Sequence, residues 1–131
     1  MASLNDTVRA LIDGKNFATI GTVNADGSPQ TSPVWITRDG DDLLVSTVKG
    51  RLKERNLRRD PRVSISVFDQ ADPYNYFEAR GQVTFTEEGG DKLINDLAHK
   101  YTGSDYEGDK GTDNVRLVIR LTPDKLTGYA V

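Results

Sequence analysis

The alternation of apolar and polar positions divides the chain into short helices and strands. In SLNDTVRALIDG (3 to 14), Leu4, Val8, Leu11 and Ile12 recur at helical spacing and Gly14 stands as a stop, which predicts an amphipathic helix covering one end of a sheet. FATIGTV (17 to 23) is rich in β-branched residues and leads into the hairpin signal Asn24-Ala25-Asp26-Gly27. QTSPVWIT (30 to 37) reads as the returning strand, and Arg38-Asp39-Gly40-Asp41 turns the chain into DLLVSTV (42 to 48). Connections this short cannot make parallel crossovers, so an antiparallel meander is expected. Pro33 cannot donate to a ladder. Either the strand is bulged at Ser32-Pro33, freeing backbone groups of Thr31, Ser32 and Val34, or it is an edge strand with its proline facing solvent.

Further on, a helix-like run ends at Asp60-Pro61, and RVSISVFD (62 to 69) alternates Val63, Ile65 and Val67 with polar residues, the pattern of a half-buried strand. QADPYN (70 to 75) is a turn. In YFEARGQVTFTEE (76 to 88), Gly81 marks a bulge or bend in an otherwise long strand. GGDKLINDLAHKY (89 to 101) predicts a helix with Leu93, Ile94, Leu97 and Tyr101 inward. The polar run at 102 to 114 is expected as a mobile loop. VRLVIRLTPDKLTGYAV supplies a last strand, a turn at Pro123-Asp124 and a short apolar end. No internal repeat is visible. Six or seven antiparallel strands with three short helices predict a mainly β fold, a closed or split β-barrel forming one domain over residues 1 to 131.

Composition narrows this little. At 131 residues the chain suits one modest core, and the absence of cysteine excludes disulfides, thiolate metal sites and a cysteine nucleophile. No apolar run has transmembrane length and no signal peptide is evident, so a cytoplasmic location and no membrane partner are expected. No Ser-His-Asp set stands out. The lone His99 reads as a helical surface residue, and the acids of the 102 to 114 loop lack calcium-loop spacing, so no metal site is expected.

Charge changes the picture. STVKGRLKERNLRRDPR (46 to 62) holds seven of the seventeen basic residues, Lys49, Arg51, Lys53, Arg55, Arg58, Arg59 and Arg62, against Glu54 and Asp60. It carries +5 in a chain of net charge −3, leaving the remainder at −8. Cations gathered in an acidic protein point to an anionic partner, most simply a phosphate. They sit at a strand-to-helix turn, where free backbone N–H groups and the helix dipole favour an anion. Ser46 and Thr47 place hydroxyls before that turn, and Gly50 permits close approach to the backbone. The run also shows no compensating i,i+4 acids. The alternative is a solvated surface helix. Neither GxGxxG nor a P-loop is present, so a nucleotide-binding Rossmann or P-loop reading has no support.

The order of these segments, with R-x-K-x-R-N-L-R-R-D-P-R at Arg51 to Arg62, the preceding VS and the block from Pro29 to Val34, resembles the split β-barrel flavin and deazaflavin proteins of the pyridoxamine 5′-phosphate oxidase-like superfamily. The likeness is strongest to its small members that use coenzyme F420. It implies an FMN-binding-like split barrel, a homodimer with cofactor at the subunit interface, and hydride transfer between F420 and a small unsaturated organic substrate. FMN is the alternative cofactor, and a non-catalytic module that stores the cofactor or binds nucleic acid is the alternative role. The acidic remainder of the chain argues against nucleic acid.

By the resemblance, Arg51 and Lys53 hold the cofactor phosphate, with Lys49 and Gly50 in the turn before them, and Ser46 and Thr47 meet the phosphate or ribityl chain. Thr31, Ser32, Pro33 and Val34 match the strand lining the tricyclic ring. Asn56 matches a further polar helix position, and Tyr74 and Tyr76 match aromatic positions supplied by the other chain. Lys49-Gly50 departs from an acid-proline pair of the relatives, and Pro33 and Trp35 replace polar residues. Arg55, Arg58 and Arg59 exceed what one phosphate needs, which suits the anionic tail of F420 over FMN. The cofactor carries the chemistry in this scheme, and no catalytic side chain is assigned.

Overall fold

A computed structural model describes residues 2 to 131. Helix α1 (Asp6–Asp13) precedes strands β1 (Ala18–Val23), β2 (Pro29–Val34), β3 (Thr37–Asp39) and β4 (Asp42–Val48). Helix α2 (Leu52–Arg59), strands β5 (Arg62–Phe68) and β6 (Tyr76–Thr86), helix α3 (Gly90–Thr102) and strand β7 (Arg116–Thr127) follow. All seven strands form one antiparallel sheet in the order β2-β1-β5-β6-β7-β4-β3.

That order corrects the expected meander. The run 30 to 37 is two strands: β2 pairs with β1, whereas β3 pairs with β4 at the far edge. Only Trp35 and Ile36 join them. In a flat sheet the two edges would lie about six strand spacings, roughly 29 Å, apart. The three residue steps from Val34 to Thr37 reach about 10 Å. The sheet must therefore curl until its edges meet, and the link between β2 and β3 forces a barrel that is left open between those strands. Local alternation could not reveal this, because the link lies within an uninterrupted strand-like pattern.

Pro33 lies on an edge strand in unbroken register opposite Thr19, so the edge reading holds and the bulge at Ser32-Pro33 does not. The bulge lies elsewhere. Between Arg80 and Gly81 the β6–β7 register skips Asp124, and β7 continues to Thr127 where a turn at Pro123-Asp124 was expected. A Cβ on Gly81 would stand 2.8 Å from Leu121 Cδ1 and 2.9 Å from the Thr122 carbonyl oxygen, so glycine permits this close crossing.

Ile20, Ile36, Leu43, Val45, Ile65, Val67, Phe77, Ala79, Ile119 and Leu121 fill the barrel. Leu4, Val8, Leu11 and Ile12 join the same core from α1 and the residues before it. Asn5 caps α1 by accepting the Val8 N–H at 2.8 Å. A second cluster, Leu93, Leu97 and Val118, packs with Trp35, Leu44 and Tyr101 beneath α3. The 102 to 114 stretch is largely exposed and is tied to the rest of the chain by polar contacts at Tyr106 and Asp109. The Tyr106 N–H donates to Asn95 Oδ1 at 2.9 Å, and Asp109 pairs with Arg116 at 2.8 Å.

Candidate functional site

The basic stretch begins where β4 leaves the sheet. Gly50 turns the chain at φ +96°, a left-handed conformation that favours glycine, and α2 starts two residues later. No side chain of Arg51, the N-cap residue, closes the helix start. Glu54 reaches back instead: its carboxylate accepts the Gly50 N–H at 2.8 Å and Arg58 Nε at 2.8 Å. Those two donors, the Gly50 N–H foremost, hold its carboxyl below the usual range. The expectation of no i,i+4 acid is thus corrected, since Glu54 pairs with Arg58.

Pairing sorts the seven cations. Lys49 pairs with Glu87, Arg58 with Glu54 and Arg62 with Asp60. Arg58 also lies 4.2 Å from the centre of the Phe85 ring. Arg59 donates to the Val23 carbonyl at 2.7 Å and to Asn56 Oδ1 at 3.0 Å. Among the described residues, Arg51, Lys53, Arg55 and Arg59 have no acidic partner within ion-pair distance, and of these only Arg59 has its guanidinium engaged by the protein. Of the surplus expected from Arg55, Arg58 and Arg59, only Arg58 is neutralised; Arg59 keeps its charge but is held by neutral acceptors, so Arg55 alone is unengaged, which narrows the charge argument for the longer cofactor tail.

Arg51 and Lys53 open onto one cavity of about 140 Å³ with Ser46, Pro33, Val34, Trp35, Ile94 and Leu97. Burial, reinforced by the neighbouring Arg51 cation, pulls the Lys53 ammonium below its ordinary pKa. Two cations held together in a half-buried recess with no carboxylate in ion-pair contact, Asp109 acting on Arg51 only at longer range, are what an anion would relieve. The recess has the size of a phosphate, not of a tricyclic ring. Trp35 forms its apolar wall and is fixed by stacking: its ring lies 5.3 Å from Tyr101 at 6°, and Tyr101 lies 5.5 Å from Phe17.

Of the residues singled out in the sequence, Pro33, Val34, Ser46, Arg51 and Lys53 are brought together. Others lie elsewhere. Thr31 lines the outer face of the sheet with Thr19, Gly21 and Ser64. Thr47 is fully buried, and its hydroxyl, like that of Ser32, has no hydrogen-bond partner. Asn56 is buried and its amide is engaged by the protein: it donates to Thr22 Oγ1 at 3.0 Å and Asn24 Oδ1 at 2.9 Å, tying α2 to the first hairpin. Lys49 and Gly50 are exposed beside the recess. Tyr74 lies 76% exposed on the turn before β6, and Tyr76 meets Tyr129 edge-on at 5.9 Å. Neither tyrosine lines the recess of its own chain. Sequence reasoning missed Ile94 and Leu97 as walls and Arg116 behind Ser46. The signal for Arg116 was a charge inside the apolar run VRLVIRL.

With this geometry in hand, the comparisons define the class. The family model for pyridoxamine 5′-phosphate oxidase matches residues 4 to 129, and the chain belongs to that family. It is an oxidoreductase-type superfamily of split barrels whose members bind flavin-type cofactors. Among solved structures, an F420 reductase is similar at 26% identity, with a TM-score of 0.83 over 95% of this chain and 98% of that one. A conserved hypothetical protein from Mycobacterium tuberculosis matches at 20% identity and a TM-score of 0.78, covering 96% of this chain and 84% of that one. General Stress Protein 26 from Bacillus anthracis shares the fold at 17% identity and a TM-score of 0.70, over 92% and 89% of the two chains. No helix among the described residues is long and apolar enough to cross a membrane.

Proposed function

We propose that this chain is a coenzyme F420-dependent oxidoreductase that passes a hydride between the deazaflavin and a small unsaturated organic substrate, working as a homodimer. The observation that carries the reading is the pair Arg51 and Lys53, unpaired by acids and meeting Ser46 in a phosphate-sized recess. The likeness to an F420 reductase across nearly the whole of both chains supports the choice of cofactor.

The residues present fit the anionic part of such a group. Lys53 and Arg51 supply charge-assisted donors, and the first-turn N–H groups of α2, left without a side-chain cap, add partial positive charge. When bound, F420 supplies the hydride chemistry itself. Trp35, Pro33 and Val34 give the recess an apolar margin on the side of β2, which would shield from water a ring continuing from a bound phosphate. Tyr74 and Tyr76 are absent from the recess of their own chain, so a role for them at the cofactor requires a second copy. The exposed Phe17, Phe68, Tyr74 and Tyr129 provide apolar surface for that copy to cover.

The test is side-by-side titration of the purified apoprotein with F420 and with FMN. Tighter binding of F420 supports the reading, and tight FMN binding with release of yellow flavin selects the alternative cofactor. Lys53→Ala should weaken cofactor binding by about 1.5–3 kcal/mol, the worth of hydrogen bonds to charged groups. An unchanged F420 titration curve for that variant would remove Lys53 from the site.

A further inference from the structure

Arg116 is the most deeply buried cation among the described ion pairs, its side chain 4% exposed at the start of β7. Its guanidinium is held on three sides. Nε donates to Asp109 Oδ2 at 2.8 Å and Nη2 to Asp109 Oδ1 at 3.1 Å, a bidentate pair. Nη2 also donates to the Tyr106 hydroxyl at 2.8 Å, while the Tyr106 ring centre lies 4.9 Å from Cζ. Nη1 is left to donate to Ser46 Oγ at 3.3 Å. A core position next to Leu117 and Val118 would ordinarily take an apolar residue, since a buried ion pair is weak as a stabiliser.

The direction of that last bond matters. Ser46 Oγ accepts from Arg116, so its own O–H is turned away from the guanidinium, and Ser46 lines the recess that Arg51 and Lys53 charge. We propose that Arg116 is a positioning residue which presents the Ser46 hydroxyl as a donor to an anion in that recess, with Asp109 and Tyr106 of the 103 to 115 loop locking the guanidinium in place. A hydroxyl free to rotate can offer either a lone pair or a proton to an incoming phosphate oxygen. One that already accepts from an arginine offers the proton, and polarisation by the cation strengthens it as a donor. The inference rests on the cofactor-phosphate reading and assigns that site a part lying outside the basic stretch.

A double-mutant cycle on the full-length protein tests it, with F420 and FMN as the titrants. Arg116→Lys keeps the charge but loses the planar fork, and should weaken binding of the preferred cofactor about tenfold. Ser46→Ala should cost a similar factor. In the Ser46→Ala background, Arg116→Lys should change affinity by less than about twofold, because the hydroxyl through which it acts is gone. Ser46→Thr, which keeps a hydroxyl, should restore the dependence on Arg116. If Arg116→Lys does not fold, Tyr106→Phe replaces it, keeping the ring and deleting one bond to the guanidinium; its smaller loss must likewise vanish with Ser46→Ala. Penalties that multiply in the double variant overturn the proposal while leaving the site intact, provided Lys53→Ala still weakens binding. Wild-type protein that binds neither cofactor overturns both readings.

Discussion

At the scale of single residues, burial and charge state decide what each side chain can contribute. Lys53 has its pKa lowered by desolvation and by Arg51, and a bound anion would reverse that. Binding should therefore take up a proton as pH approaches the lysine range, and affinity should fall as pH rises through the lowered pKa. Lys53→Arg should flatten this fall, measured by cofactor titration across an alkaline pH series. Thr47 gives a different prediction. Its hydroxyl is fully buried without a partner, so Thr47→Val should leave stability unchanged or raise it by about 1 kcal/mol in chemical denaturation. A loss of cofactor affinity in that variant would instead return the hydroxyl to the binding role that the resemblance implies. For Gly50, where an added Cβ meets nothing within 4 Å, the cost of Gly50→Ala is backbone strain alone, about 1–2 kcal/mol.

At the scale of elements, the packing of α3 against β7 links the recess to the rest of the sheet. A Cβ on Gly90 would lie 2.2 Å from the Arg116 carbonyl oxygen, so the helix start sits against the backbone of β7 as closely as glycine allows. Gly90→Ala must push α3 away, and with it Ile94 and Leu97 on the wall of the recess. It should lower thermal stability and cofactor affinity together, with a cost of about 3 kcal/mol or more, as overpacking gives at its upper end. Element positions were largely legible from periodicity: α1, β5 and α3 lie within a residue or two of the hydrophobic patterns that predicted them, apart from a later start for α1, and α2 stops at Arg59, just before the expected break at Asp60-Pro61. The end of β2 was not. Nothing in QTSPVWIT marks the two residues at which the chain changes sheet edge, because Trp35 and Ile36 are themselves good strand formers.

At the scale of the whole molecule, Lys100 joins three segments that pattern alone leaves separate. Its ammonium donates to the Ile12 carbonyl at the end of α1 and, at 2.7 Å, to the Ile36 carbonyl in the link between β2 and β3. Burial pulls its pKa down to about 8. The folded chain therefore gives up this proton before the unfolded chain, whose lysine titrates near 10.5. Between those values the unfolded state binds more protons, so this group's contribution to stability rises with pH from about 8 to 10.5. Lys100→Met should remove that rise, read as thermal midpoints at pH 7.5 and pH 10, on top of a general loss of about 1–3 kcal/mol from two carbonyls left unpaired. Association belongs to this scale too. If a second copy covers the exposed aromatics, Tyr74→Ser combined with Tyr129→Ser should shift sedimentation of the protein toward the monomer.

The amino-acid sequence by itself determined most of the inventory: the majority of strand and helix positions, a net negative charge, and a localised block of cations after a strand. Those are properties of neighbours along the chain, set by spacing, β-branching and charge. Which cations remain available was decided by folding, because Glu54, Asp60 and Glu87 neutralise three of them across helix turns and loops that only the folded chain brings together. Curling of the sheet likewise came from tertiary structure. Joining its two edges through Trp35 and Ile36 sets Ser46 of β4 beside Pro33 and Val34 of β2, and the polar loop before β7 puts Asp109 on Arg116 behind it. Contacts between residues so far apart in the chain leave no periodic trace, since they depend on where the barrel closes.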